Sequence, residues 1–254
     1  MRYAAIALVL LAAQQAAQKP AFEVATIKRS ASLDGGGSLF TPPGAQLRGV
    51  NVDTRSLITF AYRGDQRLFN SQILNGPGWM ESERFDITAK SNEALAAAPA
   101  AEISRTMPLL VQSLLEDRFK LKLHRETRQL QRYVLSVAGK DGLPGPRMHR
   151  VSRDCAVDRT LCRIQTTPGH LTAGAMSMSN LVAFLGGNVE RVVVDHSGLT
   201  GAFDIELDWS PEQTAIDQPS LFSAVREQLG LSLGSERGPV GVIVIDHIER
   251  PTED

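Results

Sequence analysis

Cysteine, aromatics and long apolar runs are all scarce in this chain. Two cysteines in 254 residues exclude a disulfide-dense scaffold. No uninterrupted apolar stretch approaches the roughly 20 residues that a membrane-spanning helix needs. Neither sign of charge is in excess, with 27 Lys and Arg against 28 Asp and Glu. That balance argues against a generic nucleic-acid binder or a polybasic membrane-surface protein, since both depend on clustered cations. The main catalytic signatures are missing too. There is no H-E-x-x-H, no G-x-x-x-x-G-K-[ST], no G-x-G-x-x-G and no G-x-S-x-G. What remains is an ordinary globular composition, 43% hydrophobic and 22% charged, at a length that suits one large domain or two small ones.

The N-terminus has a different character. Arg2 precedes an apolar run from Ala4 to Ala13, and a small and polar stretch follows from Gln14 to Gln18. This order reads as a secretory signal peptide over residues 1–18, with cleavage between Gln14 and Lys19; the alternative is an uncleaved anchor or a buried first helix. No cysteine lies near the site, which argues against a lipoprotein. Export implies a periplasmic or secreted protein in an oxidising compartment. There Cys155 and Cys162 are expected to form a disulfide, a local staple contributing about 2–3 kcal/mol in the chain-entropy view. A metal or redox pair is the alternative, and it lacks the C-x-x-C spacing such sites favour.

Beyond residue 18 the chain repeats itself. Leu47, Leu57 and Phe60 match Leu171, Leu181 and Phe184 at a constant offset of about 124 positions. ERFDITAK around Phe85 matches GAFDIELDW around Phe203, each an aromatic-Asp-Ile segment with strand alternation. The stretch from Pro108 matches the stretch from Pro219, pairing Leu121, Leu123, Glu126, Tyr133 and Leu135 with Leu231, Leu233, Glu236, Ile243 and Ile245. Each half reads as strand, helix, strand, helix, hairpin, the hairpins being LKLHRE with RYVLSV and LSLGSE with VIVIDH. Strands and helices mixed without regular crossovers define an α+β protein, with a small antiparallel sheet and packed helices in each half. The expected divisions are a first half over 19–139, a basic, turn-rich linker with the candidate disulfide over 140–165, and a second half over 166–254. A glycine-rich loop at Gly35–Gly37 and an alanine-rich stretch from Glu93 to Ala101 read as irregular.

FEVATIKRS, LITFAY, GPGWMESERFDITAK, VVVDHSGLTGAFDIELDW and GPVGVIVIDHIERPTED occur in an order and spacing that resemble a paralogous family of exported proteins of unknown function abundant in soil Acidobacteria. The resemblance covers nearly the whole chain after the leader. It implies an extracytoplasmic domain without an established reaction, sometimes found as the outer part of integral-membrane zinc metallopeptidases that resemble beta-lactam sensors. No such peptidase segment is present here, so sensing by that route requires a separate partner. The repeated units are more loosely similar to the βαββ modules at the N-termini of secretins, a likeness of fold that carries no function.

Few residues suggest chemistry. His124-Arg125-Glu126 has the H-x-E of zinc deaminases without their P-C-x-x-C, and alternation puts His124 and Glu126 on one strand face. Asp195-His196-Ser197 holds the residue types of a catalytic triad, yet three consecutive side chains cannot flank one imidazole. A strand ending in a turn, with Asp195 or Ser197 bonded to backbone amides and Gly198 and Gly201 at positive φ, fits better. Asp246-His247 lies in the last strand, and His170, His196 and His247 show no metal-ligand spacing. Trp79 and Trp209 read as core or core-edge residues. No cofactor, metal or catalytic residue is assigned. The expected function is an exported non-enzymatic binding or assembly module in an extracytoplasmic sensing or envelope system, acting on another extracytoplasmic or membrane protein and not on nucleic acid. The alternative is an exported hydrolase whose site in the second half leaves no local motif, drawing on Asp195, His196 or His247.

Overall fold

A computed structural model describes residues 19–31, 36–64, 68–139, 142–153, 159–211 and 219–254. The expected signal peptide, Gly35 and Cys155 lie outside them. The described elements of the first part are β1 (Val24–Arg29), β2 (Ser38–Phe40), β3 (Gln46–Asp53), α1 (Thr54–Tyr62), β4 (Ile73–Leu74), α2 (Trp79–Ser82), β5 (Arg84–Lys90), α3 (Glu93–Ala96), α4 (Ala100–Arg118) and β6 (Lys122–Val137). There follow β7 (Met148–Val151), a 3-10 turn (Arg159–Cys162), β8 (Ile164–Thr167), β9 (His170–Ser177), α5 (Met178–Val189), β10 (Val193–Asp195), β11 (Ala202–Asp208), α6 (Leu221–Leu229) and β12 (Leu231–His247). The class is α+β, as expected.

Two compact units divide these elements. The first comprises residues up to Ala61, Glu83–Lys120 and Glu249–Asp254. Its antiparallel sheet runs β1-β5-β3-β2. Alternation buries Ile27, Leu47, Phe85 and Ile87 on one face, and α1 and α4 add Leu57, Ile58, Leu110, Val111 and Leu115 to the buried set. Phe85 meets Phe119, just past α4, edge to face at 5.7 Å. Gln112 Nε2 donates to the Ala61 carbonyl at 2.7 Å, tying α4 to the end of α1.

The second unit comprises Tyr62–Ser82 and Leu121–Ile248. One of its sheets, β7-β11-β9-β8, is antiparallel; the other, β10-β6-β12-β4, joins β10 and β4 in parallel to an antiparallel pair. Leu171, Met176, Phe203, Ile205 and Leu207 of the first sheet form one core with Leu181 and Leu185 of α5, Val225 and Leu229 of α6, and Leu135 and Leu231 of the long strands. Trp209 closes it, 4% exposed and edge-on to Phe184.

The duplication is plain in three dimensions and larger than the landmarks suggested. β1, β2, β3 and β5 occupy in one sheet the places that β7, β8, β9 and β11 occupy in the other. Asp53 and Ser177, at equivalent positions, each cap the following helix, accepting from Ser56 N at 2.7 Å and Asn180 N at 3.2 Å.

Several local expectations are corrected. Residues 140–165 are more than a linker, because β7, the 3-10 turn and the start of β8 lie there. Strands of four residues that are mostly exposed carry too little alternation to be recognised, and their ladders to β11 and β9 hold them. The compact units therefore do not follow the 19–139 and 166–254 halves. No hairpins form within the third landmarks: β6 and β12 are single strands of 16 and 17 residues, paired with each other from Leu231–Val137 to His247–Lys122. Pro239 is tolerated in β12 because β4 pairs only with Ile243 and Val244, leaving Pro239 on an edge. The alanine-rich stretch holds α3, capped by Asn92, and the start of α4, which continues through Pro108. Burial of Met107, Leu110, Val111, Leu114 and Leu115 on one face of α4 offsets the one donor that proline removes.

Candidate functional site

Both copies of the sheet contain the same bulge. In the first, Val50 and Asn51 of β3 oppose Asp86 alone; in the second, Gly174 and Ala175 of β9 oppose Asp204. The second residue of each bulge has positive φ, 54° at Asn51 and 53° at Ala175. Its amide leaves the ladder and is recovered by the aspartate of the aromatic-Asp-Ile landmark, Asn51 N to Asp86 Oδ1 at 2.8 Å and Ala175 N to Asp204 Oδ1 at 3.0 Å. That amide explains why both landmarks contain aspartate.

Beside the second bulge, the outer face of β7-β11-β9-β8 forms an open groove of about 440 Å³. Period 2 sets its walls, since burying Met148, Ile205 and Leu171 turns Arg147, His149, Thr172, Asp204 and Glu206 outward. The 3-10 turn contributes Thr160 and Leu161, Arg163 follows it, and Arg153 also lines the groove. The turn lies so close to the bulge that a Cβ on Gly174 would sit 2.0 Å from the Leu161 carbonyl oxygen.

The carboxylates of this face are engaged. Asp204 receives both terminal nitrogens of Arg153, one at 2.8 Å. Asp208 receives Arg147 Nη1 at 2.5 Å, and Arg147 also comes within 3.9 Å of Glu206. His170 Nδ1 lies 2.6 Å from Asp208 Oδ1, while His170 Nε2 lies 2.8 Å from Thr172 Oγ1. Gln228 of α6 clamps the Asp208 backbone, accepting from its amide at 3.0 Å and donating to its carbonyl at 2.8 Å. His170, then Arg147, hold the Asp208 carboxyl below its ordinary value against the opposing effect of burial. By contrast, the side chains of Arg163 and His149 make no hydrogen bond or ion pair among the described residues. The groove thus offers two uncommitted donors; of its acids only Glu206 makes no side-chain hydrogen bond among the described residues, and it stands 3.9 Å from Arg147.

Asp208, His170 and Thr172 form a carboxylate-imidazole-hydroxyl chain, the geometry of general-base activation. β9 lies between β8 and β11, so the β9 amides around Thr172 are engaged in its two ladders and not turned toward an oxyanion. Among the described residues no cluster of three or more His, Cys, Asp or Glu could hold a metal ion.

The residues singled out from sequence do not converge. Asp195 accepts from Ser197 N at 2.9 Å and Ser197 Oγ from Leu199 N at 3.1 Å, while Gly198 and Gly201 have φ of 67° and 94°. That is the turn expected of VVVDHSGLTG. Asp246 pairs with His124 at 2.9 Å on the exposed face of the long strands, and Glu126 pairs with Arg128 at 2.6 Å. His247 ends β12. His149, Arg163 and the His170–Asp208 pair were missed. The only sequence signal was the period-2 run of acids at Asp204, Glu206 and Asp208, which gains meaning once register sets it opposite His149, Thr172 and His170.

Fold and groove together define a duplicated α+β protein with a polar, solute-sized recess in its second copy. The chain belongs to DUF3738, a family of proteins of unknown function, which it matches over residues 55–248. No curated protein and no solved structure matches it.

Proposed function

We propose that this is an exported, non-enzymatic binding or assembly module, periplasmic or secreted, which takes an anionic group of a solute or partner protein into the groove on the β7-β11-β9-β8 face. The observation that carries this reading is the pair of uncommitted donors, Arg163 and His149, in a recess where Asp204 and Asp208 are already held by Arg153, Arg147 and His170. An arginine without an internal acid is suited to a carboxylate or phosphate, which it meets in a bidentate fork. The volume suits a small solute or a short peptide end. A Cys155–Cys162 disulfide belongs to the same reading. It would close the loop that carries Leu161 onto the bulge, and alkylation before and after reduction, read by mass spectrometry, tests it. Calorimetric titration with di- and tricarboxylates, sugar phosphates and acidic peptides tests the groove. At least one class should bind, and Arg163→Glu should weaken it tenfold or more; no binding by any class refutes the reading.

The Asp208–His170–Thr172 chain favours a second reading, an exported hydrolase acting through Thr172. It draws on residues other than Asp195, His196 and His247. Ester turnover abolished by Thr172→Ala and His170→Ala with melting unchanged would establish it. It ranks second because the β9 amides around Thr172 are engaged in ladders.

A further inference from the structure

We propose that the outer face of the first sheet docks the protein onto an anionic phospholipid surface. Alternation along β1, β5, β3 and β2 turns Lys28, Lys90 and Arg48 outward with Val24, Val50 and Phe40. The three cations are exposed and make no hydrogen bond or ion pair among the described residues. Asp86 also points outward, with Oδ1 taken by the Asn51 amide. Val24, Phe40 and Val50 are 60%, 44% and 42% exposed. Single exposed apolar residues are normal, but three of the eight large ones among the described residues share this face and alternate with the cations.

Register makes the face continuous. Thr26, Thr88, Arg48 and Phe40 form one cross-strand row, and Val24, Lys90 and Gln46 the next. Four strands span about 15 Å at their usual spacing. A continuous strand face of that size, with cations and apolar side chains side by side, fits a surface better than a solute. Cations reach phosphate headgroups while aliphatic and aromatic side chains enter the headgroup and acyl boundary, whereas a soluble polyanion has no use for the apolar half of the pattern. The scaffold does not impose this composition. The positions of Lys28, Arg48, Lys90 and Phe40 are occupied in the second copy by His149, Thr172, Asp208 and Gln165. The balanced charge of the whole chain conceals the patch, whose neighbouring acids are Asp86, opposite Lys28 in the ladder, and Asp254, whose carboxyl feels the Lys28 charge.

Co-sedimentation of the full chain with vesicles of phosphatidylcholine alone, or with 40% phosphatidylglycerol, tests the proposal. Binding should require phosphatidylglycerol, fall tenfold or more in Lys28→Glu/Arg48→Glu/Lys90→Glu, and fall several-fold in Phe40→Ser. Attachment through residues 1–18 would survive the triple substitution, and such survival overturns the proposal. So does equal binding to both vesicles, or capture of dextran sulfate without vesicle binding. If the triple variant melts early, Arg48→Glu and a salt titration of the unmodified chain replace it, and vesicle binding insensitive to both is equally fatal. Arg163→Glu should leave vesicle binding intact, so failure at the groove and failure here remain distinguishable.

Discussion

The two copies of the four-stranded sheet share a skeleton and differ in what they show to solvent. Each buries a phenylalanine and an isoleucine on either side of an aspartate that caps a bulge amide. Outside, one face leaves three lysines and arginines unpaired among apolar residues, while the other knits Arg147, Arg153, Asp204, Asp208 and His170 into an ion-pair lattice around a groove. Alternation keeps the two faces independent, so a duplicated sheet can preserve its core and diversify its surface.

Substitutions at equivalent positions probe how far the equivalence extends. The largest effect is expected from Phe85→Ala and Phe203→Ala, both almost fully buried, each costing about 3–5 kcal/mol in denaturant titrations. A difference of more than about 2 kcal/mol between them would break the equivalence, since similar cavities should cost similar amounts. Next come Gly37→Ala and Gly174→Ala, which are not counterparts but each press on backbone in their own copy, where a Cβ would meet the Asn51 carbonyl oxygen at 2.3 Å and the Leu161 carbonyl oxygen at 2.0 Å. Each should cost about 1–3 kcal/mol as overpacking against backbone, whereas Gly234→Ala, with open space around it, should be nearly silent in the same titration.

Asp204→Ala should cost more than Asp86→Ala, on the order of 2 against 1 kcal/mol, because only Asp204 also holds an arginine. The smallest effect is pH-dependent. The Asp208 carboxyl titrates lower in the folded than in the unfolded chain, so its contribution is fully present above about pH 4 and is lost as pH falls through its depressed folded value. The stability gap between the wild type and Asp208→Asn should therefore narrow from pH 6 toward pH 3. Lys90→Gln, at the equivalent place in the first copy, should show no such narrowing.

Much of the fold was legible because buried strands and helices write their period into the chain. Leu47 and Leu171, Phe85 and Phe203, and the α6 stripe ending at Gly230 all follow that rule. β7 and β8 were not, since short edge strands such as Ile164–Thr167 are exposed throughout and carry no alternation. Nor was the pairing of β6 with β12, which lie roughly a hundred residues apart and resemble each other as much as either resembles a hairpin. The site was least legible. His170 and Thr172 share a face of β9, but they meet Asp208 only through the register of β9 against β11, which sequence spacing does not encode.

Amide chemical-shift mapping during titration with the tightest-binding anion tests the central claim most directly. Perturbations confined to β7, the 3-10 turn, β9 and β11, largest near Arg163 and His149 and abolished by Arg163→Glu, are the predicted result. Shifts centred on β1, β5 and β3, or spread evenly over both sheets, would contradict the assignment of solute binding to the second copy.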